Sequence, residues 1–172
     1  MQRIVLTHAH PDHAGGLARV REETGARVLV PELDAEHVKA GTVPPRDART
    51  FGGRLMNRLP GGGPPPCPVD DVSKDEQLLD GGLRVLHAPG YSPGHVSLLH
   101  EPSGVLITGG SLFNVLGIRY SFGPWCSGGR LSRQTADRLG EVDYQIAAFM
   151  HGPEIRERAR DRVRAFLQAR GR

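Results

Sequence analysis

Short apolar runs separated by turn residues mark the first forty positions of the chain. Residues 3–7 read as a buried strand. Residues 15–23 place Leu17 and Val20 on one helical face, with Gly25 as the stop. Residues 26–30 form a second apolar strand, and 31–40 read as a helix with Pro31 at its first position and Gly41 at its end. The pattern then breaks. Residues 41–68 hold half of the chain's 14 prolines, so a regular element is hard to sustain there. One helix fits within 48–59, interrupted at Gly52-Gly53, and 61–66 read as a loop.

Hairpins follow. Residues 77–79 and 83–88 flank an Asp80-Gly81-Gly82 turn, and 96–100 and 105–108 flank Pro102-Ser103-Gly104. Residues 131–139 are helical with Ser132 as cap, and 144–149 form a strand. The last helix buries Ile155, Ala159, Val163 and Phe166-Leu167 at helical spacing. Alternating strands and helices, then hairpins, then flanking helices make a layered α/β protein. With 172 residues the chain suits a single domain, 1–172, carrying a Pro/Gly-rich loop at 41–68.

Composition changes little in this picture. The net charge of +3 comes almost wholly from arginine, since Lys39 and Lys74 are the lysines. Arginines outnumber acids after Glu154, but no recognition motif accompanies them, so they read as a solvated helix face and not as a nucleic-acid site. Cys67 and Cys126 form neither a disulfide framework nor a paired metal motif. No apolar stretch approaches the ~20 residues of a membrane span. No secretory pattern opens the chain, so the expected location is cytoplasmic, without a membrane partner.

The chemistry concentrates at Thr7-His8-Ala9-His10-Pro11-Asp12-His13. His8 and His10 lie two apart and point to one side of an extended segment. Asp12 and His13 come where the chain turns into a helix and can reach a neighbouring point. Imidazole and carboxylate are donors for a borderline ion such as zinc. Two adjacent metal positions follow, one fed by His8 and His10, the other by Asp12 and His13. His37, His87 and His100 lie outside any such pattern and read as structural or surface residues.

The His-x-His-x-Asp-His motif resembles the signature of the metallo-β-lactamase-fold hydrolases, in particular their glyoxalase II-like or lactonase-like branch. The resemblance implies an αββα sandwich with the metals at one edge between the sheets. It extends to Pro93-Gly94-His95 and to Met150-His151-Gly152. By it, His8, His10 and His95 hold the first metal, and Asp12, His13 and His151 the second. Zn2+ is the expected cofactor, one or two ions per chain. The implied reaction is hydrolysis of a small-molecule thioester, ester or lactone by metal-bound hydroxide, with Asp12 as the catalytic residue that orients the water or passes its proton. An oligomer is compatible with this reading. Tyr91 stands where many relatives carry a histidine that is not a ligand.

Two departures stand out. Relatives read Gly-Asp where this chain has Gly109-Gly110, and that aspartate bridges the two metals. Without it two divalent ions repel each other more, so the second is expected to be weak or absent, and Gly110→Asp to raise occupancy. The motif also begins at His8, where relatives have several strands and a helix before it, so the chain resembles a family domain lacking its first strands. The competing reading is a catalytically impaired relic that binds metal or a partner. The family's persulfide dioxygenases need the acid missing at 110, its flavodiiron proteins carry an acid where His10 stands, and its nucleases carry an inserted domain for which 172 residues leave no room.

Overall fold

The structure is a computed structural model that describes residues 2–59 and 61–170. Its first half runs β1 (Arg3–Val5), α1 (Pro11–Ala14), α2 (Leu17–Thr24), β2 (Arg27–Pro31), a 3-10 turn (Glu32–Asp34), α3 (Ala35–Ala40), α4 (Phe51–Arg58) and β3 (Asp71–Ser73). The second half runs β4 (Leu78–Leu79), β5 (Leu83–His87), β6 (Val96–His100), β7 (Val105–Ile107), β8 (Leu112–Asn114), β9 (Ile118–Tyr120), α5 (Gly129–Ala136), β10 (Ile146–Ala148) and α6 (Ala159–Arg170).

Strands β1, β2 and β3 form a parallel sheet in that order, and a second sheet has the order β10-β7-β6-β5-β4. The period of two along each strand explains why they stack. Leu29 on β2 joins Val85, Leu98 and Leu79 of the second sheet in one apolar cluster. Its neighbours Val28 and Val30 face the other way, against Leu17, Ala35 and Val38 of the helices. In the second sheet Leu86, Leu99 and Leu106 turn outward onto Ala136, Leu139, Val163 and Leu167. Helices, sheet, sheet, helices is therefore the layer order. Register confirms the inner row, with Val85 opposite Leu98 and Leu98 opposite Ile107.

Both expected hairpins are present, β4–β5 and β6–β7. Other expectations need correction. Pro31 is the last residue of β2, paired with Ser73, and the helix opens only at Ala35 after the 3-10 turn. Gly52-Gly53 does not interrupt α4; the Thr50 hydroxyl caps it by accepting from Gly53 N at 3.0 Å. Ser132 lies inside α5, whose cap position is Gly128. Ile155 precedes α6 and exchanges two backbone hydrogen bonds of 2.9 Å with Ala147, extending the sheet edge. The hairpin β8–β9 is an addition; its bend passes through Leu116 and Gly117, both at positive φ, 56° and 105°.

Candidate metal centre

At one edge of the two sheets, strand ends from far-apart segments meet. Val96 N donates to the Thr7 carbonyl at 3.0 Å and so joins the end of the first sheet to the start of β6. His8 leaves β1 there. His10 precedes α1, whose first position is Pro11, and Asp12 and His13 sit within that single turn. His95 stands at the start of β6. His151 follows β10, held by Asn114 N, which donates to the His151 carbonyl at 2.9 Å. A Cβ at Gly152, where φ is 101°, would overlap the Asn114 carbonyl, so only glycine allows this approach.

The six side chains named from sequence lie close together. Ring centroids are 4.8 Å apart for His8 and His10, 4.2 Å for His8 and His13, 5.3 Å for His8 and His95 and 6.1 Å for His13 and His151. One donor atom each from Asp12, His13 and His151 falls within 4.8 Å of the other two. His13 Nε2 and His151 Nε2 lie 3.2 and 3.4 Å from Asp12 Oδ2, yet neither is directed at it as a hydrogen bond. The Nε2 atoms of His8, His10, His13 and His151 are all buried without a hydrogen-bond partner. Buried ring nitrogens without a hydrogen bond are costly unless something electropositive sits among them, and two of these four meet at one carboxylate. This donor set fits a divalent ion.

Burial also sets the charge state. Desolvation lowers His8 well below the usual imidazole range, His10 to about 4 and His95 to about 3, and it lowers His13 against the opposing pull of Asp12. At neutral pH these rings are neutral, the form that offers a lone pair.

His95 differs from the others. Its Nδ1 lies 2.9 Å from the Ala88 carbonyl, an acceptor only, so Nδ1 carries the hydrogen. Its Nε2 then accepts the Gly110 backbone N–H at 2.6 Å. Both ring nitrogens are engaged. From donor types the first position is the stronger; the side chains are arranged the other way, with the second position's donors converged and the first position's third donor occupied.

The expectation for Gly110→Asp also changes. A Cβ at residue 110 would overlap the ring of Tyr91. Tyr91 is buried, with its centroid 5.0 Å from that of His8 and 4.6 Å from that of His10. The space a side chain at 110 needs is already filled.

Two residues escaped the sequence reading. Asp34 is fully buried and accepts from Ala9 N at 2.9 Å, Ser92 Oγ at 2.5 Å and Gly94 N at 2.7 Å. It ties the His8–His10 segment to the loop before His95. Phe113 packs on His151 at a centroid distance of 4.6 Å and on Tyr91 at 6.0 Å. No spacing in the sequence marks either. His37 bonds Thr42 and His100 bonds Ser103, both away from the cluster, and Cys67 and Cys126 are free thiols.

Comparison with known proteins identifies the family and the fold. The family model described as metallo-beta-lactamase superfamily matches residues 2–165. A hydroxyacylglutathione hydrolase of Cereibacter sphaeroides is 33% identical over 143 residues, covering 81% of this chain and 46% of that protein. A probable metallo-hydrolase of Methanocaldococcus jannaschii is 29% identical over 126 residues, covering 71% of this chain and 52% of that one. Among solved structures, TTHA1623 in a di-iron-bound form has a TM-score of 0.67 at 28% identity, covering 95% of this chain and 76% of that chain. The archaeal superfamily protein ST1585 from Sulfolobus tokodaii has a TM-score of 0.71 at 21% identity, over 98% of this chain and 67% of that one, a likeness of fold. The chain spans about a third to a half of the curated relatives it matches. On the family match and the shared fold, the chain belongs to the metallo-beta-lactamase superfamily.

Proposed function

We propose that this chain is a metal-dependent hydrolase of a small carbonyl substrate, a thioester, ester or lactone. The observation that carries the reading is the convergence of His13 Nε2 and His151 Nε2 on Asp12, beside the buried His8 and His10 rings whose Nε2 atoms make no hydrogen bond. His13, His151 and Asp12 hold the ion, with His8 and His10 alongside, and zinc suits their donor types. A bound divalent ion supplies a Lewis acid and brings the ionisation of water toward neutral pH. Asp12 is half exposed, so it can both meet the ion and orient the attacking water or take up its proton.

Phe113 separates the cluster from a cavity of about 670 Å³ whose wall includes Tyr120, Phe122, Trp125 and Phe166. Arg119 and Arg133 also line it, and neither has a carboxylate partner among the described residues. An apolar wall with two such cations suits an acyl group attached to an anionic body. The relatives' name, hydroxyacylglutathione hydrolase, points to the same chemistry, since an acylglutathione is a thioester carrying carboxylates. The remaining expectations, a single domain and a cytoplasmic location, belong to this proposal; no helix among the described residues is long and apolar enough to cross a membrane.

The test is turnover of an acylglutathione by the zinc-loaded chain, with Asp12→Ala and His151→Gln as controls. Hydrolysis that falls at least about a hundredfold in Asp12→Ala supports the reading. A second reading, a relic that binds metal without turnover, is favoured by the engaged nitrogens of His95. Metal uptake with no hydrolysis of any acyl thioester, ester or lactone would select it.

A further inference from the structure

The place where a side chain at 110 would stand is filled, and the filling has a definite geometry. Tyr91 is wedged among His8, His10 and His95, meeting each in a T-shaped contact at centroid distances of 5.0, 4.6 and 5.9 Å. On its far side it packs against Phe113. Gly109-Gly110 presses against the same group from the other direction. A Cβ at Gly109, where φ is +56°, would overlap His95 Nε2, and a Cβ at Gly110 would overlap the Tyr91 ring. Two glycines in succession therefore let the backbone come close enough for Gly110 N–H to reach His95 Nε2 at 2.6 Å.

We infer that the chain is built to hold one metal ion, between Asp12, His13 and His151, and that Tyr91 is the positioning residue that keeps the first position closed. The inference rests on the metal-binding reading above and adds to it the stoichiometry and the role of Tyr91. The first position has lost a donor in two ways at once. The His95 lone pair is spent on a backbone N–H, and a carboxylate at 110 has no room. Two free rings, His8 and His10, are fewer than the three protein donors typical of a catalytic zinc site. Charge agrees: Asp12 is the cluster's carboxylate and offsets part of one divalent ion, whereas a second ion would add two further positive charges with no new anion.

The experiment is titration of the demetallated full chain with zinc chloride, read by calorimetry and elemental analysis, together with NMR of the histidine ring nitrogens. One equivalent is expected. His13 and His151 ring nitrogens shift on zinc addition, while those of His95 stay in place with the hydrogen still on Nδ1. His151→Gln and Asp12→Asn weaken binding by about tenfold or more, whereas His95→Gln retains one equivalent. Gly110→Asp alone stays at one equivalent and lowers Tm, and Tyr91→Ala combined with Gly110→Asp takes up a second. Should the His95 or double variant fail to fold, the stoichiometry and ring-nitrogen shifts of the unsubstituted chain decide. Two equivalents in that chain would overturn the inference while sparing the metal reading; one that moves the His95 nitrogens and leaves His151 unchanged would overturn the inference and the placement of the ion, while sparing metal binding itself. A second equivalent absent from a folded double variant would overturn the role of Tyr91. No zinc uptake at all would remove the metal reading and this inference with it.

Discussion

The Asp34 carboxylate accepts the Ser92 hydroxyl at 2.5 Å across 58 positions of sequence. The same group accepts Ala9 N–H and Gly94 N–H, so one buried anion anchors both loops that deliver histidines to the cluster. Asp34→Ala would strand three donors in the interior. At about 1–3 kcal/mol for each unsatisfied group, the expected loss is on the order of 3–5 kcal/mol. Asp34→Asn keeps the shape and one acceptor oxygen and should cost less. Urea denaturation of the metal-free chain measures both. Zinc affinity should also fall about tenfold or more in Asp34→Asn, because the carboxylate orients the segments that carry the ligands. An Asp34→Ala protein as stable as its parent would show that these bonds are not formed.

Asp34 also shows where sequence reading stops. An acid just after an apolar strand looks like a solvated helix start, and its three partners come from residues 9, 92 and 94. By contrast His8, His10, Asp12 and His13 declare themselves, because a spacing of six residues confines their donors to one neighbourhood whatever the fold does. The layered sheets were legible for a similar reason: Val85 and Leu86, or Leu98 and Leu99, are all apolar, as strands covered on both faces must be. The overlap of Tyr91 with a side chain at 110 was not legible. It depends on the space left between two loops, and no local pattern encodes that. The short β8–β9 hairpin was hidden because its strands are three residues each and its bend sets Leu116, whose side chain does not signal a left-handed conformation, before Gly117.

Acid should destabilise the metal-free chain. His8, His10 and His95 are held neutral in the fold, His10 with a pKa of about 4 and His95 of about 3, mainly by desolvation. In the unfolded chain they titrate near 6.5. Below that value the unfolded state binds more protons, so stability is complete above pH 6.5 and falls as the pH drops toward 4. Three such groups together remove on the order of 3–4 kcal/mol between pH 7 and pH 5.5. Denaturation midpoints at a series of pH values check this, and a flat profile across that window would contradict the buried neutral rings. With zinc present the loss should be steeper, since protons then compete with the ion for the same nitrogens.

Gly53 lies within α4, where helix propensity alone would favour alanine by about 1 kcal/mol. The local packing reverses that sign. A Cβ at Gly53 would overlap the Asp47 carbonyl, in the turn that Thr50 closes by donating its hydroxyl to the same oxygen at 3.0 Å. Gly53→Ala must either open this turn or shift the helix, and a net loss of about 1–2 kcal/mol is expected. A thermal melt showing stabilisation would mean that the turn gives way at no cost.

The arginines of the cavity offer a test of substrate class that leaves the metal untouched. Arg133 carries its guanidinium 5.6 Å from the centre of the Tyr120 ring, and Arg119 lines the same wall. Neither arginine belongs to the donor set of the cluster, so neither is expected to change zinc uptake. If they receive the anionic body of an acyl thioester, each contributes about 1 kcal/mol of binding that is the same in ground and transition state. Arg119→Ala and Arg133→Ala should then raise KM for an acylglutathione about fivefold each, with kcat nearly constant, and the effect should shrink as salt is added. Hydrolysis of a neutral ester such as p-nitrophenyl acetate should be unaffected in the same variants. Equal losses on the charged and the neutral substrate would mean that the arginines support the shape of the wall and not an anion. A fall in kcat at constant KM would instead place them against the reacting group.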